Sequence, residues 1–214
     1  MKNFKRALSV LLVAVFSVCI FIACITVSAD KPLSKDNTVL EVIAISNKYL
    51  EGATKFDYAQ VAECMGKTYS GKVPDYVAEV TDSIMKNLTE STKTDEGTDL
   101  TEEKARLKEV VEDKLLVFKY STDVKTIKID SDKAVLTYTL TYPDMEVIED
   151  KLDKLMKTEG SKDGHQLTVG GKIGCLETVL TDNKEDSISQ NRKFTLTLEK
   201  KDGKWIVESD KPLK

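Results

Sequence analysis

The sequence predicts an α+β fold, with amphipathic helices in the first part of the chain and antiparallel strands after them. Apolar residues recur at helical spacing in four segments between residues 38 and 118. After Tyr120 the apolar period changes to two, which is typical of half-buried strands. A run of helices followed by runs of strands is the pattern of the α+β class.

Four helices are predicted before the first strand, each from an apolar stripe and a residue that can begin a helix. The predicted starts are Thr38, Asp57, Pro74-Asp75 and Thr101. Gly52 is expected to end the first helix, and the polar segment over 91–99 is expected to be an exposed loop. The fourth helix is expected to extend to Phe118, with the apolar residues of its stripe on the buried side.

Two β-hairpins are predicted from alternating residues and turn signals. The first pairs a strand over 124–130 with a strand over 134–142. The second joins a strand at 194–198 to one that contains Trp205, across Asp202-Gly203, a residue pair that two-residue hairpin turns favour. These hairpins supply the antiparallel sheet of the predicted fold.

The segment between the hairpins is predicted to be largely helical. Pro143 stops the preceding strand, and an amphipathic stripe predicts a helix over 145–156 that ends before Gly160. Residues 161–190 carry the weakest pattern in the chain, and only 176–180 indicate a further helical turn. We therefore expect helical insertions between the strands.

The first 29 residues have the composition of an export signal. Lys2, Lys5 and Arg6 precede an apolar run over 7–25, and small residues follow that run. A cationic start before an apolar core marks such signals, and the cations set the orientation in the membrane. The remaining residues are therefore expected to work outside the cytoplasm.

The apolar run allows three outcomes after translocation. Phe21-Ile22-Ala23-Cys24 resembles the lipobox of bacterial lipoproteins, in which Cys24 would be lipidated and become the N-terminus. Val27-Ser28-Ala29 fits an ordinary signal-peptidase site, which would release a secreted protein. The run also approaches the ~20 apolar residues of an uncleaved membrane anchor. We expect a lipoprotein at the cell membrane first and a secreted protein second.

Three segments are expected in the domain organisation. Residues 1–29 are the signal or anchor, 30–37 form a polar tether that contains Pro32, and 38–214 form a single extracytoplasmic domain. Removal of the leader takes three of the 32 basic residues and none of the 36 acidic ones, which leaves a net charge of -7. An acidic surface disfavours nucleic acid and anionic lipid headgroups as partners.

Two of the four cysteines remain once Cys19 and Cys24 are assigned to the leader. Cys64 and Cys175 are far apart in sequence and lie in a part of the chain that we expect to meet an oxidising compartment. They are interpreted either as a disulfide or as two separate buried thiols that pack as small apolar side chains. Sequence spacing does not decide between these alternatives.

Catalytic and metal-binding signatures are missing from the sequence. His165, the single histidine, lies in a polar turn, and no motif supports a nucleophilic pair between it and Cys175. Acidic clusters at 130–132 and 182–186 lack the ligand spacing of a calcium loop. We therefore expect no catalytic residue, no metal and no cofactor.

Acid–base chemistry would need a carboxyl with a shifted pKa inside the protein and a tyrosine as hydrogen-bond donor. Tyr138 and Tyr142 share one face of a predicted strand and are the best-placed tyrosines. Packing in the core explains both side chains equally well, because aromatic residues are common on buried strand faces.

Three short segments carry a resemblance to a known family. They are Phe56-Asp57-Tyr58-Ala59-Gln60-Val61-Ala62, Tyr142-Pro143-Asp144 and Lys201-Asp202-Gly203-Lys204-Trp205-Ile206-Val207. Together they resemble exported Gram-positive lipoproteins with the cystatin-like cone fold of nuclear transport factor 2. The resemblance implies N-terminal helices packed on a curved antiparallel sheet, with a pocket inside the cone. This chain departs from the compact version of that family through extra helical regions over 73–118 and 145–156.

The function expected from these observations is that of a non-enzymatic extracytoplasmic binding module. Its partners would be the membrane, through a lipid or an anchor, and either a small apolar ligand or another protein bound by the concave sheet. Two alternatives stay open. One is an enzyme of the isomerase or dehydratase type that uses a pocket carboxylate, and the other is a scaffold for a membrane partner.

Overall fold

A computed structural model describes residues 35–95, 97–162, 167–182 and 188–213, and the predicted α+β class is confirmed. Four helices precede the first strand and two more separate the second strand from the third. The helices are α1 (Lys35–Thr54), α2 (Tyr58–Cys64), α3 (Tyr76–Thr92), α4 (Thr101–Val110), α5 (Met145–Lys162) and α6 (Val169–Asp182). The strands are β1 (Lys119–Asp130), β2 (Lys133–Pro143), β3 (Ser189–Lys201) and β4 (Lys204–Pro212).

The described chain forms two compact units. The sheet unit contains residues 35–73, 118–141 and 191–213, and the helical unit contains the described residues within 74–117 and 142–190. The helical unit is thus built from two insertions, one before β1 and one between β2 and β3. The expectation of a single domain over 38–214 stays a prediction.

In the sheet unit, helix α1 packs on the sheet, whose strand order is β1-β2-β3-β4. Both predicted hairpins are present, and β1 pairs with β2 and β3 with β4 in antiparallel register. Asp202 and Gly203 both have positive φ angles, of 51° and 77°, as the primed turns of tight hairpins require. The inner face of the sheet is apolar because alternate residues of β2 and β3 are buried.

A bulge in β4 changes which of its residues point inward. Thr197 pairs with Ser209, whereas the next residue, Leu198, pairs with Val207, so Glu208 is the extra residue. An extra residue shifts the inward-facing positions beyond it by one. Trp205, Val207 and Asp210 therefore share the inner face, and Asp210 pairs with the fully buried Leu196.

Helix α1 extends beyond both predicted ends. It begins at Lys35, within the segment expected to be a tether, and continues through Gly52 to Thr54. Gly52 does not end the helix. A Cβ atom at this position would lie 3.2 Å from the side chain of Gln60, so the glycine allows α2 to pack closely against α1.

The helical unit encloses its own apolar core, which α3, α4, α5 and α6 all contribute to. Asp75 caps α3 as predicted, since its Oδ1 accepts a hydrogen bond from Ala78 N at 2.9 Å. The fourth helix is α-helical only to Val110 and ends in a π-helical turn, Val111–Leu115, rather than at Phe118. That turn keeps Val111 and Leu115 in the core.

The segment that was hardest to interpret from the sequence contains a complete helix. Helix α6 has 14 residues and contacts α3, α4 and α5. Three glycines, Gly170, Gly171 and Gly174, hide its helical signal because glycine is a poor helix former. Helix α5 also passes through Gly160, where the sequence predicted its end.

Within the described ranges, none of the helices combines the length and the apolar character needed to cross a bilayer.

Candidate functional site

A groove in the helical unit is the first candidate site. Its volume is about 730 Å³, and residues of α4, α5 and α6 line it together with the π-helical turn. The α6 side is formed by small residues at helical spacing, Gly171, Gly174, Thr178 and Thr181. Side chains three and four residues apart share one helix face, so these four leave a trough along α6 between longer neighbouring side chains.

Charged side chains of both signs surround this trough. Arg106 Nε donates a hydrogen bond to Glu177 Oε2 at 3.1 Å, and its Nη2 donates to the same oxygen. Lys114 Nζ donates to Thr181 Oγ1 at 2.6 Å, and Glu159 lies on the α5 side. These groups are partly exposed, so they can bind a polar ligand without first losing a buried ion pair.

The groove offers little for nucleophilic catalysis. Cys175 lies in its wall and is 5% exposed. Burial, and to a lesser extent the charge of Glu159, raises the pKa of the Cys175 thiol. A thiol with a raised pKa is protonated near neutral pH and is a poor nucleophile.

A carboxyl on the inner face of the sheet unit is the second candidate site. Tyr138 on β2 donates a hydrogen bond to Asp210 Oδ2 at 2.7 Å, and the hydroxyl of Tyr49 on α1 lies 3.5 Å from the same oxygen. Both tyrosines are buried. Burial raises the pKa of Asp210 from 3.8 to about 6, although the two tyrosine hydrogen bonds act in the opposite direction.

This carboxyl is incompletely satisfied by the protein. Asp210 Oδ1 is buried and accepts no hydrogen bond from the described part of the chain. A carboxyl with a pKa near 6 changes protonation in the range where general acids and bases operate. The arrangement of a carboxyl with a tyrosine donor is the one that acid–base chemistry would need.

Sequence reasoning identified only part of this cluster. Tyr138 was singled out and contacts the carboxyl. Tyr142 is also buried on β2 and belongs to the helical unit. Asp210 and Tyr49 were missed, because strict alternation from Trp205 and Val207 places Asp210 on the outer face. Only the bulge at Glu208 brings it inward, and no local sequence signal identifies that bulge.

The remaining predicted site residues are distributed as follows. Cys64, in the sheet unit, and Cys175, in the helical unit, are both buried cysteines. The disulfide between them stays a prediction. Cys24, the whole leader and His165 lie outside the described residues. In the ranges that are described, no three histidine, cysteine or acidic side chains cluster in a way that could hold a metal ion.

Comparisons with known proteins give one finding. No protein-family model matches the chain, and no curated protein matches it. Among solved structures, the chain is similar to the crystal structure of a candidate lipoprotein, ycdA, from Bacillus subtilis subsp. subtilis str. 168, with 14% identity and a TM-score of 0.30. The match covers 78% of this chain and 54% of that one, so this chain spans about half the length of the structure that it matches. A likeness of this size carries no conclusion about ligand or activity.

Proposed function

We propose that this protein is a non-enzymatic extracytoplasmic binding module, held at the membrane through a lipid on Cys24, and that its ligand site is the groove of the helical unit. The observation that carries the binding role is the groove itself. Its volume of about 730 Å³ lies within the range of roughly 300–1,000 Å³ typical of small-molecule sites. The export signal and the lipobox-like sequence before Cys24 support the location.

The groove chemistry points to a ligand that is more polar than the apolar molecule expected from the sequence. Arg106, Lys114 and Glu177 present charges along it, and Leu155 and Leu167 add apolar surface. Ligands of mixed character match such a lining, because a few polar groups orient the molecule while apolar contacts contribute affinity. The proposed ligand is therefore a small molecule, or a short peptide, with both polar and apolar groups.

The fold of the sheet unit belongs to the same proposal. Two helices followed by a four-stranded antiparallel sheet support a cystatin-like domain of the nuclear transport factor 2 type. In this proposal the helical unit is the added part, and it carries the ligand site instead of the concave sheet.

Native mass spectrometry tests the binding role directly. We expect the full chain, purified from its own host, to carry a non-covalent adduct that is lost on denaturation. The denatured mass also tests the proposed lipid, since a diacylated Cys24, a start at Asp30 and an uncut chain differ in mass. A protein without any adduct, in material that is otherwise folded, would contradict the ligand-binding role.

A matched pair of variants assigns the adduct to the groove. Gly174→Leu should abolish the adduct, because a Cβ there meets only Arg106 Nη2, at 3.7 Å, and a longer side chain must extend into the trough. Gly170→Leu, in the same helix but outside the groove lining, is the control and should retain the adduct. Equal retention by both variants would place the ligand elsewhere.

A second candidate function, acid–base catalysis of the isomerase or dehydratase type, is favoured by the contact between Asp210 and Tyr138. In this role Asp210 would move the proton and Tyr138 would donate a hydrogen bond to the reacting oxygen. The test incubates host-cell extract with the full chain or with its Asp210→Asn variant and follows small molecules by mass spectrometry. Turnover by both proteins alike would exclude the role.

A further inference from the structure

The Asp210 carboxyl lies where three elements of the sheet unit meet. Tyr49 reaches it from helix α1, Tyr138 reaches it from β2, and Asp210 itself belongs to β4. Tyr49 is fully buried and Tyr138 is 4% exposed, so these contacts are part of the packing of α1 on the sheet. The protonation state of one side chain therefore acts directly on the interface between a helix and a sheet.

The two oxygens of this carboxyl have different hydrogen-bonding surroundings. Oδ2 has both tyrosine hydroxyls as neighbours, whereas Oδ1 is buried and receives no hydrogen bond from any described residue. A buried carboxylate with an oxygen that lacks a donor costs far more free energy than the neutral acid in the same position. Any opening of the α1–sheet contact that brings water to Oδ1 therefore stabilises the ionised carboxylate.

Within the described ranges, the carboxyl has no recorded hydrogen bond or ion pair with a cationic side chain. The titratable groups that contact it are Tyr49 from α1 and Tyr138 from β2, and β3 contributes the apolar Leu196, which pairs with Asp210. The guanidinium carbon of Arg192 lies 5.7 Å from the centre of the Phe194 ring, which stacks on Tyr138. Burial is accordingly the largest cause of the raised pKa of Asp210.

We propose that Asp210, Tyr138 and Tyr49 form a proton-sensitive lock that holds helix α1 on the sheet when the carboxyl is protonated and loosens it when the carboxyl ionises. The lock is a property of the sheet unit and does not depend on whether a ligand occupies the groove. It would make the mobility of α1, the first described element of the chain, responsive to mildly acidic surroundings.

The direction and size of the effect follow from linkage. The pKa of Asp210 is about 6 in the folded protein, above the ordinary 3.8, so the closed form binds more protons than an opened form in which the carboxyl meets water. The packing of α1 on the sheet is therefore most favourable below about pH 4 and becomes less favourable as the pH rises through 6. Between pH 5 and pH 7 the opening equilibrium of α1 should rise by about tenfold.

Hydrogen exchange on the full chain in detergent micelles tests the lock. After correction for intrinsic exchange, amides of α1 should lose about tenfold protection between pH 5 and pH 7, with a midpoint near the carboxyl pKa. Asp210→Asn should remove this pH dependence, because its amide does not titrate. Asp132→Asn, an exposed aspartate of the same unit, is the matched control and should behave as the unmodified protein.

A second variant keeps the test decisive if Asp210→Asn fails to fold. Tyr138→Phe removes the 2.7 Å hydrogen bond that favours the carboxylate, so the midpoint of α1 protection should move to higher pH. A midpoint that does not move in Tyr138→Phe would overturn the proposal. Equal pH dependence of α1 protection in Asp210→Asn and Asp132→Asn would overturn it as well.

Discussion

The two units of this protein place their charged side chains in different surroundings. In the helical unit, Arg106 and Glu177 pair at a half-exposed groove, and the buried Lys172 donates hydrogen bonds to Ser91 Oγ and Thr92 Oγ1 at the C-terminal end of α3. In the sheet unit, Asp210 is turned inward and one of its oxygens has no donor among the described residues.

Because of this difference, we expect the two units to respond to different signals, one to ligands and the other to protons. A cation at a helix C-terminus lies where the helix dipole favours it, and exposed ion pairs are readily rearranged by a ligand. A buried carboxyl without a full set of donors responds to protons instead. We therefore expect ligands to act on the helical unit and pH to act on the sheet unit, and the predictions below test that contrast.

The largest effect should come from two neighbouring residues of α6 with opposite environments. Ile173 is fully buried in the core of the helical unit, and Gly174 lines the groove. Ile173→Ala should lower the free energy of unfolding of this unit by about 3 kcal/mol because it leaves a cavity. Gly174→Ala should raise it by about 0.5–1 kcal/mol, since alanine is the better helix former. Urea unfolding followed by far-ultraviolet circular dichroism measures both, and equal effects would show that α6 is not packed as described.

The next effect is the pH dependence of the sheet unit. The pKa of Asp210 is raised from 3.8 to about 6, so its protonated carboxyl contributes to the free energy of unfolding of the sheet unit. This contribution is fully present below about pH 4 and is lost as the pH rises through 6. The loss should be at most about 3 kcal/mol, at about 1.4 kcal/mol per pKa unit. Trp205, the single tryptophan and a buried residue of β4, reports on urea unfolding of this unit by fluorescence. Asp210→Asn should flatten the profile, and an unchanged profile in that variant would assign the pH dependence to other groups.

A smaller effect is expected at the buried cation of the helical unit. Burial lowers the pKa of Lys172, so the charged ammonium is destabilised there despite its two hydroxyl acceptors. Lys172→Met preserves most of the side-chain volume, and Ser91 and Thr92 still donate to Leu88 O. We expect the variant to be more stable by about 1 kcal/mol at pH 7, and the gain should shrink as the pH rises through the lowered pKa of Lys172 toward the ordinary 10.5 of the unfolded chain. A less stable variant would show that the favourable interaction of the ammonium with the C-terminal end of α3 is larger than the cost of burying its charge.

The smallest effect should be at the groove ion pair. Arg106→Ala removes a pair whose side chains are 49% and 34% exposed, so the free energy of unfolding should change by less than about 1 kcal/mol. Ligand binding, measured by the adduct in native mass spectrometry, should weaken far more than stability does. A loss of stability above this limit would mean that the pair supports the fold rather than a ligand.

Much of the secondary structure could be predicted because its signals are local. The caps Asp57 and Asp75 both accept hydrogen bonds from backbone N–H groups three residues later, and Asp202-Gly203 forms the expected turn. The errors came where tertiary contacts outweigh propensity. Helix α1 passes Gly52 because α2 packs there, and α6 is helical despite three glycines because its apolar residues are buried in the core of the helical unit.

The candidate sites were far less predictable. Tyr138 was named as a donor without a partner, and its partner Asp210 is 72 residues away in sequence. Neither residue identifies the other, because a hydrogen bond between distant segments leaves no periodic or compositional signal. The groove likewise depends on how α4, α5 and α6 pack, and only the small residues along α6 are visible in the sequence.

The sequence by itself determined the class of the fold, the two hairpins, most helix starts and the expectation of export, since each follows from the period, caps, turn residues or charge pattern of a short segment. Only the tertiary structure decided which side chains meet. One unpaired residue at Glu208 turned Asp210 from the outer to the inner face of the sheet and placed it against tyrosines from two other elements. Strand register is set by pairing between distant segments, so a shift of one residue can create a buried site that no local pattern predicts.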